Sequence, residues 1–159
     1  MKKLLITGGA GFIGSNLANF YSQQYQVFVI DDLSMGRVSN LQQTEQLVFI
    51  KGSVTDQQLL DEVLSKHSFE YIFHLAAVAS VASSVAQPLE THEVNFLSVL
   101  KILESIKKYQ KELKRFVFAS SAAVYGAEPT LPKRETSVIC PLSPYAIDKF
   151  AAERYVLNE

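Results

Sequence analysis

The 159-residue sequence has one cysteine, three histidines, almost no net charge and no long apolar run, and each shortage removes a class of protein. A lone thiol, Cys140, cannot form an internal disulfide. His67, His74 and His92 are scattered without a zinc-ligand spacing, so no metal centre is expected. A reducing cytoplasm is the compartment that fits this thiol usage. Fifteen basic residues stand against 16 acidic ones, which excludes a polybasic binder of nucleic acid or membrane surfaces. No apolar stretch approaches the ~20 residues that span a bilayer. The opening MKKLLITGGAGF breaks into glycines before a secretory core could form, and no export is expected. What is present is ordinary globular composition, 48% apolar and 19% charged. That is too apolar for a disordered chain and enough for one domain, residues 1–159, with a sizeable core.

Five apolar runs rich in Val, Ile and Phe recur along the chain: Lys3–Thr7, Gln26–Asp31, Leu47–Lys51, Tyr71–Ala76 and Arg115–Ser120. Runs of this kind, without polar alternation, are expected of strands buried on both faces of a parallel sheet. Between them the sequence predicts helices at Phe12–Gln24, at Asp56–Lys66 with Thr55 or Asp56 as cap, and at Pro88–Tyr109 as one long element. A last helix starts at Pro144. The expectation is a doubly wound α/β fold, a Rossmann-type parallel sheet with right-handed crossovers. The basic stretch Lys107–Arg115 is read as a solvated face at a helix C-terminus, where cations meet the negative end of the dipole. The irregular segment Ala127–Leu142, with three prolines, is of a length that often carries function.

The first strand runs into TGGAGFIG, which puts Gly8, Gly11 and Gly14 at the turn and on the first helical turn. A side chain at Gly8 would obstruct the turn, and one at Gly14 would push the helix away. One at Gly11 would hold a pyrophosphate off the helix N-terminus, where free N–H groups and the dipole attract phosphate. The spacing GxxGxxG differs from the general GxGxxG fingerprint, but it follows a strand and opens a helix. Seventeen residues after Gly14, Asp31 ends the second strand, where a carboxylate accepts ribose hydroxyls and repels a 2′-phosphate. NAD is therefore expected over NADP.

Ser120 and Ser121 close the fifth strand at the sheet edge where ligands of open α/β folds bind. Tyr145 and Lys149, four apart on the last helix, share a face and can meet one ligand. A tyrosine with the ordinary pKa of about 10 is a poor base at neutral pH. An ammonium about 4 Å from a phenolate is worth about 4 kcal/mol at an effective dielectric of about 20, which is the reason to pair these two residue types.

With these residues in view, the sequence resembles the extended short-chain dehydrogenase/reductase family, in particular its NAD-dependent nucleotide-sugar epimerases and dehydratases. The matching strings are TGGAGFIGSNL at 7–17, VIDDLS at 29–34, GSVTD at 52–56, HLAA at 74–77, Asn95, SSAAVYG at 120–126 and SPYAIDK at 143–149. The resemblance implies that Phe12 and Ile13 pack near the pyrophosphate and that Asp31 and Asp32 take the adenosine ribose. It implies that Ser53 and Val54 border adenine, that Leu75, Ala76 and Ala77 run under the nicotinamide ribose, and that Lys149 also holds that ribose. Ser121, Tyr145 and Lys149 would be the catalytic triad, with Tyr145 taking a proton from a sugar hydroxyl as the carbon beneath is oxidised to a 4-keto sugar.

Family dehydratases carry an Asp-Glu pair directly after the residue matching Ser121, and decarboxylases usually place an acid two residues after it. Ala122 and Ala123 stand there instead. The resemblance therefore implies 4-epimerisation of a UDP-hexose, with a dehydratase or decarboxylase, or a non-catalytic NAD-binding module, as alternatives. Ala79 replaces a lysine that galactose-type enzymes often place near the substrate phosphates. Ser53 and Val94 replace frequent polar residues beside the cofactor, and weaker NAD binding is expected from both. Family members continue past the YxxxK helix into a smaller C-terminal domain that grips the substrate nucleotide. This sequence stops at Glu159, so a truncation or natural fragment that binds NAD with little turnover is expected. A homodimer through the long helix and the YxxxK helix is also implied, with Phe96, Val99, Leu103, Phe150 and Ala151 as apolar candidates.

Overall fold

In the computed structural model, which describes residues 1–158, the apolar runs form five strands, all parallel, in the order β3-β2-β1-β4-β5. They are β1 (Lys3–Thr7), β2 (Gln26–Asp31), β3 (Leu47–Lys51), β4 (Tyr71–His74) and β5 (Arg115–Phe118). Successive residues of a strand point to opposite faces, and both faces here are apolar. Leu4, Ile6, Val27 and Val29 meet Ala18 of α1 (Phe12–Tyr21) on one face. Leu5, Phe28, Ile30 and Ile72 meet Leu60 and Leu64 of α2 (Gln57–Lys66) and Ile102 of α5 (Ser98–Tyr109) on the other. This is the doubly wound sheet that the uninterrupted Val/Ile/Phe runs require.

The chain divides into two compact units, Met1–Ala76 with Lys101–Ala119, and Ala77–Leu100 with the chain from Ser120 onward. The first holds the whole sheet. In the second, α3 (Val81–Ala86) and α4 (Pro88–His92) pack with α6 (Pro144–Val156). Ser143 caps α6 by accepting the Ala146 N–H, and Pro144 fits the first helical position, which lacks an intrahelical acceptor for its N–H anyway.

Several elements differ from the sequence reading. Strands β4 and β5 end at His74 and Phe118, two residues before Ala76 and Ser120, so Ser120 and Ser121 follow β5 and do not close it, and α1 ends at Tyr21, before Gln24. The stretch Pro88–Tyr109 is not one α-helix: it contains a π turn at Glu93–Leu97 between α4 and α5. The short helix α3, capped by Ser80, stands where no helix was expected. Val99 and Leu103, offered above for a partner subunit, are 0% and 9% exposed and belong to the interior of the chain itself. At the basic stretch, Lys107 and Lys108 fall in the last turn of α5, Lys108 lies 3.8 Å from Asp61, and Lys114 pairs with Glu70. Among the described residues no helix is long and apolar enough to cross a membrane, and no cluster of His, Cys, Asp or Glu could hold a metal ion.

Candidate active site

The strand order reverses between β1 and β4, and the crevice beyond the carboxyl ends of the strands at such a point is where open α/β sheets bind ligands. The glycine loop leaves β1 at that point. Gly8 has φ +68°, and a Cβ there would come within 2.7 Å of the Ala76 nitrogen, so the turn tolerates only glycine. Gly14, on the first turn of α1, touches the loop so closely that a Cβ would meet the Gly8 carbonyl and lie 2.6 Å from the Gly9 Cα. Gly11, the N-cap, is different: a Cβ there would meet only the Gly8 carbonyl, at 3.3 Å. The loop is thus closed on the protein side at Gly8 and Gly14 and open at Gly11, as an anion site at a helix N-terminus needs.

Asp31 holds this loop from the end of β2. Its Oδ2 accepts the Ala10 N–H at 2.9 Å and its Oδ1 accepts the Leu33 N–H at 2.8 Å. A carboxylate has about four lone-pair positions, so each oxygen keeps capacity for a further donor such as a ribose hydroxyl. The Ala10 carbonyl is bound in turn by the Arg37 N–H at 3.1 Å and by Asn40 Nδ2 at 2.8 Å. Asn40 was missed in the sequence, where a polar residue nine positions beyond the acid gives no periodic signal. Asp32 is exposed and turns its Oδ1 to the Ser34 N–H at 2.9 Å.

Phe12 and Ile13, the first residues of α1, are exposed at its N-terminus. Ser53 Oγ lies 2.8 Å from Thr55 Oγ1. Val54 belongs to the core cluster of Leu5 and Phe28, which leaves its main chain as the part a base can meet. Leu75 and Ala76 leave β4 against Gly8, with the Leu75 N–H on the Thr7 carbonyl at 3.1 Å and the Ala76 N–H on Thr7 Oγ1 at 3.3 Å. Thr7 Oγ1 is also 2.9 Å from His74 Nδ1, a buried link across the switch point that the sequence did not reveal.

The catalytic candidates Ser121, Tyr145 and Lys149 all lie in the second unit, as does Ala77. Ser121 begins a 3₁₀ turn at Ala122–Tyr125, and its Oγ accepts the Ala123 N–H at 3.2 Å, which leaves the hydroxyl proton for another acceptor. That turn packs on α6, and Ser120 Oγ donates to Glu153 Oε2 of α6 at 2.5 Å. Tyr145 and Lys149 are one helical turn apart on α6, Tyr145 half-buried and Lys149 3% exposed. Burial pushes the Lys149 ammonium from 10.5 down to about 8. The group keeps its charge at neutral pH and loses it as the pH rises through about 8.

The chain matches the family model described as GDP-mannose 4,6 dehydratase over residues 5–158. It is 37% identical over 152 residues to a UDP-glucose 4-epimerase of Halalkalibacterium halodurans, covering 95% of this chain and 44% of that protein. The structure of a UDP-glucose 4-epimerase from Thermotoga maritima with UDP-glucose superposes with a TM-score of 0.91 at 39% identity, covering 98% of this chain and 50% of that one. A UDP-glucose 4-epimerase from Brucella ovis in complex with NAD gives 0.88 at 31% identity, covering 99% and 47%. The chain spans about half the length of these relatives.

Proposed function

The chain belongs to the GDP-mannose 4,6 dehydratase family of nucleotide-sugar epimerases and dehydratases, and from that premise we propose that it is the NAD-binding and catalytic part of a UDP-hexose 4-epimerase. The observation that carries the cofactor reading is the loop Gly8–Gly14 bound to the Asp31 carboxylate through Ala10. It supplies an open N-terminal helix end for a pyrophosphate and, beside it, a fixed carboxylate with lone pairs to spare for a ribose diol. NAD, when bound, supplies a reversible two-electron acceptor for a secondary alcohol.

This chain's own residues then handle the proton. Tyr145 Oη is the group to take it from the sugar hydroxyl and later return it. Lys149, buried yet charged at neutral pH, favours the anionic form of a neighbouring oxygen. Ser121, its Oγ already oriented by the Ala123 N–H, donates to the substrate oxygen. Elimination of water needs a further acid and base, and the turn after Ser121 offers only Ala122 and Ala123 at the positions where dehydratases carry them. That composition favours epimerisation over dehydration. The relatives named for UDP-glucose support a UDP-sugar as substrate, and half-buried Phe96, in the π turn, and Phe150 leave a pairing of two copies through the Pro88–Tyr109 stretch and α6 as the proposed assembly.

A chimera carrying residues 1–158 ahead of the C-terminal half of the Thermotoga maritima relative tests the activity. It is expected to interconvert UDP-glucose and UDP-galactose, and Tyr145→Phe in it to lose turnover while keeping NAD. A chimera that carries NAD but yields a dehydrated 4-keto product, or is inert, contradicts the epimerase reading.

A further inference from the structure

Two carboxylates of α6 flank the face that carries Tyr145 and Lys149. At about 100° per residue, Lys149 lies about 40° and Glu153 about 80° to one side of Tyr145, while Asp148 lies about 60° to the other. Glu153 Oε2 accepts the Ser120 hydroxyl at 2.5 Å. On the opposite side, Asp148 Oδ1 accepts from His92 Nδ1 of α4 at 2.7 Å. An ionised carboxylate only accepts, so the proton of this bond sits on Nδ1. The His92 ring lies 5.0 Å from that of Phe96, and the Phe96 ring 5.6 Å from that of Tyr155, which stands two turns beyond Asp148 on the same side of α6.

As a source of stability this pair is poorly built. Asp148 is 6% exposed, and its Oδ2 is buried and makes no hydrogen bond among the described residues. A buried carboxylate with one oxygen unsatisfied costs solvation that a half-exposed histidine does not fully return, and apolar residues of similar volume often serve stability as well. What the pair does supply is direction, the best-attested use of a buried polar contact. Turning α6 by one residue would swing Asp148 about 100° away from His92. Lys149, one residue on and 3% exposed, owes its burial to the same rotation of the helix.

We propose that His92 and Asp148 are positioning residues of the YxxxK helix: their bond, set opposite the Ser120–Glu153 bond, fixes the rotation of α6 about its axis and so the direction of Tyr145 and Lys149. The assignment rests on the reading above of Tyr145 and Lys149 as catalytic residues. His92, Ser120 and the whole of α6 belong to one compact unit, so both bonds act within it.

The test is a nuclear magnetic resonance titration of the Lys149 side chain in the wild-type chain, in Asp148→Asn, and in the double variant His92→Phe with Asp148→Leu, with urea unfolding of each. Asp148→Asn keeps the shape and an acceptor for the Nδ1–H. The double variant removes the bond and the buried charge together. It is expected to unfold cooperatively, with Lys149 titrating about one pH unit or more above the wild-type value of about 8, toward 10.5, as the helix turns and burial lessens. Loss of a nearby negative charge would by itself lower the Lys149 value, so a rise reports lost burial. Asp148→Asn is expected to leave the titration in place. In the chimera described above, the double variant is expected to lose about tenfold or more in kcat, as a displaced catalytic group does. An unchanged Lys149 titration or unchanged kcat in the double variant, or an equal rise in Asp148→Asn, overturns the inference. A double variant that no longer unfolds cooperatively also overturns it, because a pair kept for position is dispensable to folding. The Lys149 titration uses neither cofactor nor substrate and so judges the pair separately from the catalytic reading. An inert chimera of wild-type sequence overturns that reading, and the role of the pair in catalysis with it.

Discussion

At the scale of single residues, Asp31 combines two tasks in one carboxylate. It fixes the glycine loop through the Ala10 N–H and the following turn through the Leu33 N–H, and it is the proposed acceptor for the adenosine ribose. Asp31→Asn keeps the shape but sets an NH₂ against one of those two N–H donors. NAD affinity is expected to fall at least tenfold, about 1.4 kcal/mol, and the preference for NAD over NADP to shrink as the charge facing a 2′-phosphate disappears. Parallel titrations with the two cofactors check this, and an unchanged preference counts against Asp31 as the ribose acceptor. Lys149 shows the opposite balance, a charged group held where burial opposes it. Its pKa is lowered from 10.5 to about 8 in the folded chain, so between those values the unfolded chain binds more protons and stability rises with pH. Below about pH 8 the cost of burying the charge is complete, roughly 3 kcal/mol. Lys149→Met is expected to be more stable than wild type at pH 7, the advantage shrinking as pH approaches 10.5. Urea denaturation across that range measures it, and a variant less stable at pH 7 refutes the assignment.

At the scale of elements, α6 brings both YxxxK residues into its first two turns, so its N-terminus matters more than its length. Ser143 Oγ accepts the Ala146 N–H at 3.2 Å, and Ser143→Ala is expected to cost about 1 kcal/mol of stability in denaturant unfolding. Gln110, just past α5, is 6% exposed and accepts the Phe69 N–H while donating to the Leu64 and His67 carbonyls. Gln110→Leu strands those three groups and is expected to cost about 3 kcal/mol by the same measurement.

The elements also mark where sequence reading works. The strands β1, β2 and β3 begin and end where their Val/Ile/Phe runs do, because a strand buried on both faces leaves no polar residue to blur its limits. Asp56 and Ser143 announce their helices by capping chemistry. The helix α3 was hidden because Val81–Ala86 is too short for a 3.6 period to repeat and is mostly Val and Ser. The π turn was hidden because one extra residue in a turn leaves the apolar spacing of a long helix almost intact. At the site, the glycines and Asp31 were legible because main-chain geometry demands those residue types. Asn40 was not, and although the resemblance picked out Thr7, His74 and Asn95 as positions, the contacts of Thr7 with His74 and of Asn95 with Val78 were not legible, since each depends on a partner distant in sequence.

At the scale of the whole molecule, the sheet and glycine loop form one unit, and the other carries Ser121, Tyr145 and Lys149. A ligand that binds only the folded chain adds stability by mass action, about 2.7 kcal/mol at a hundredfold excess over its Kd. For a chain of this size that corresponds to a rise in Tm of roughly 5–10 °C. NAD is expected to produce it and NADP at equal concentration to produce much less. Equal shifts would remove the selectivity argued from Asp31.

The most direct test of the central claim is to denature the purified chain, identify any nucleotide it releases, and titrate the refolded protein with NAD. The account predicts near-stoichiometric NAD or NADH on release, or saturable one-to-one uptake of NAD by a chain purified without it. Absence of released nucleotide together with no binding of NAD would contradict it.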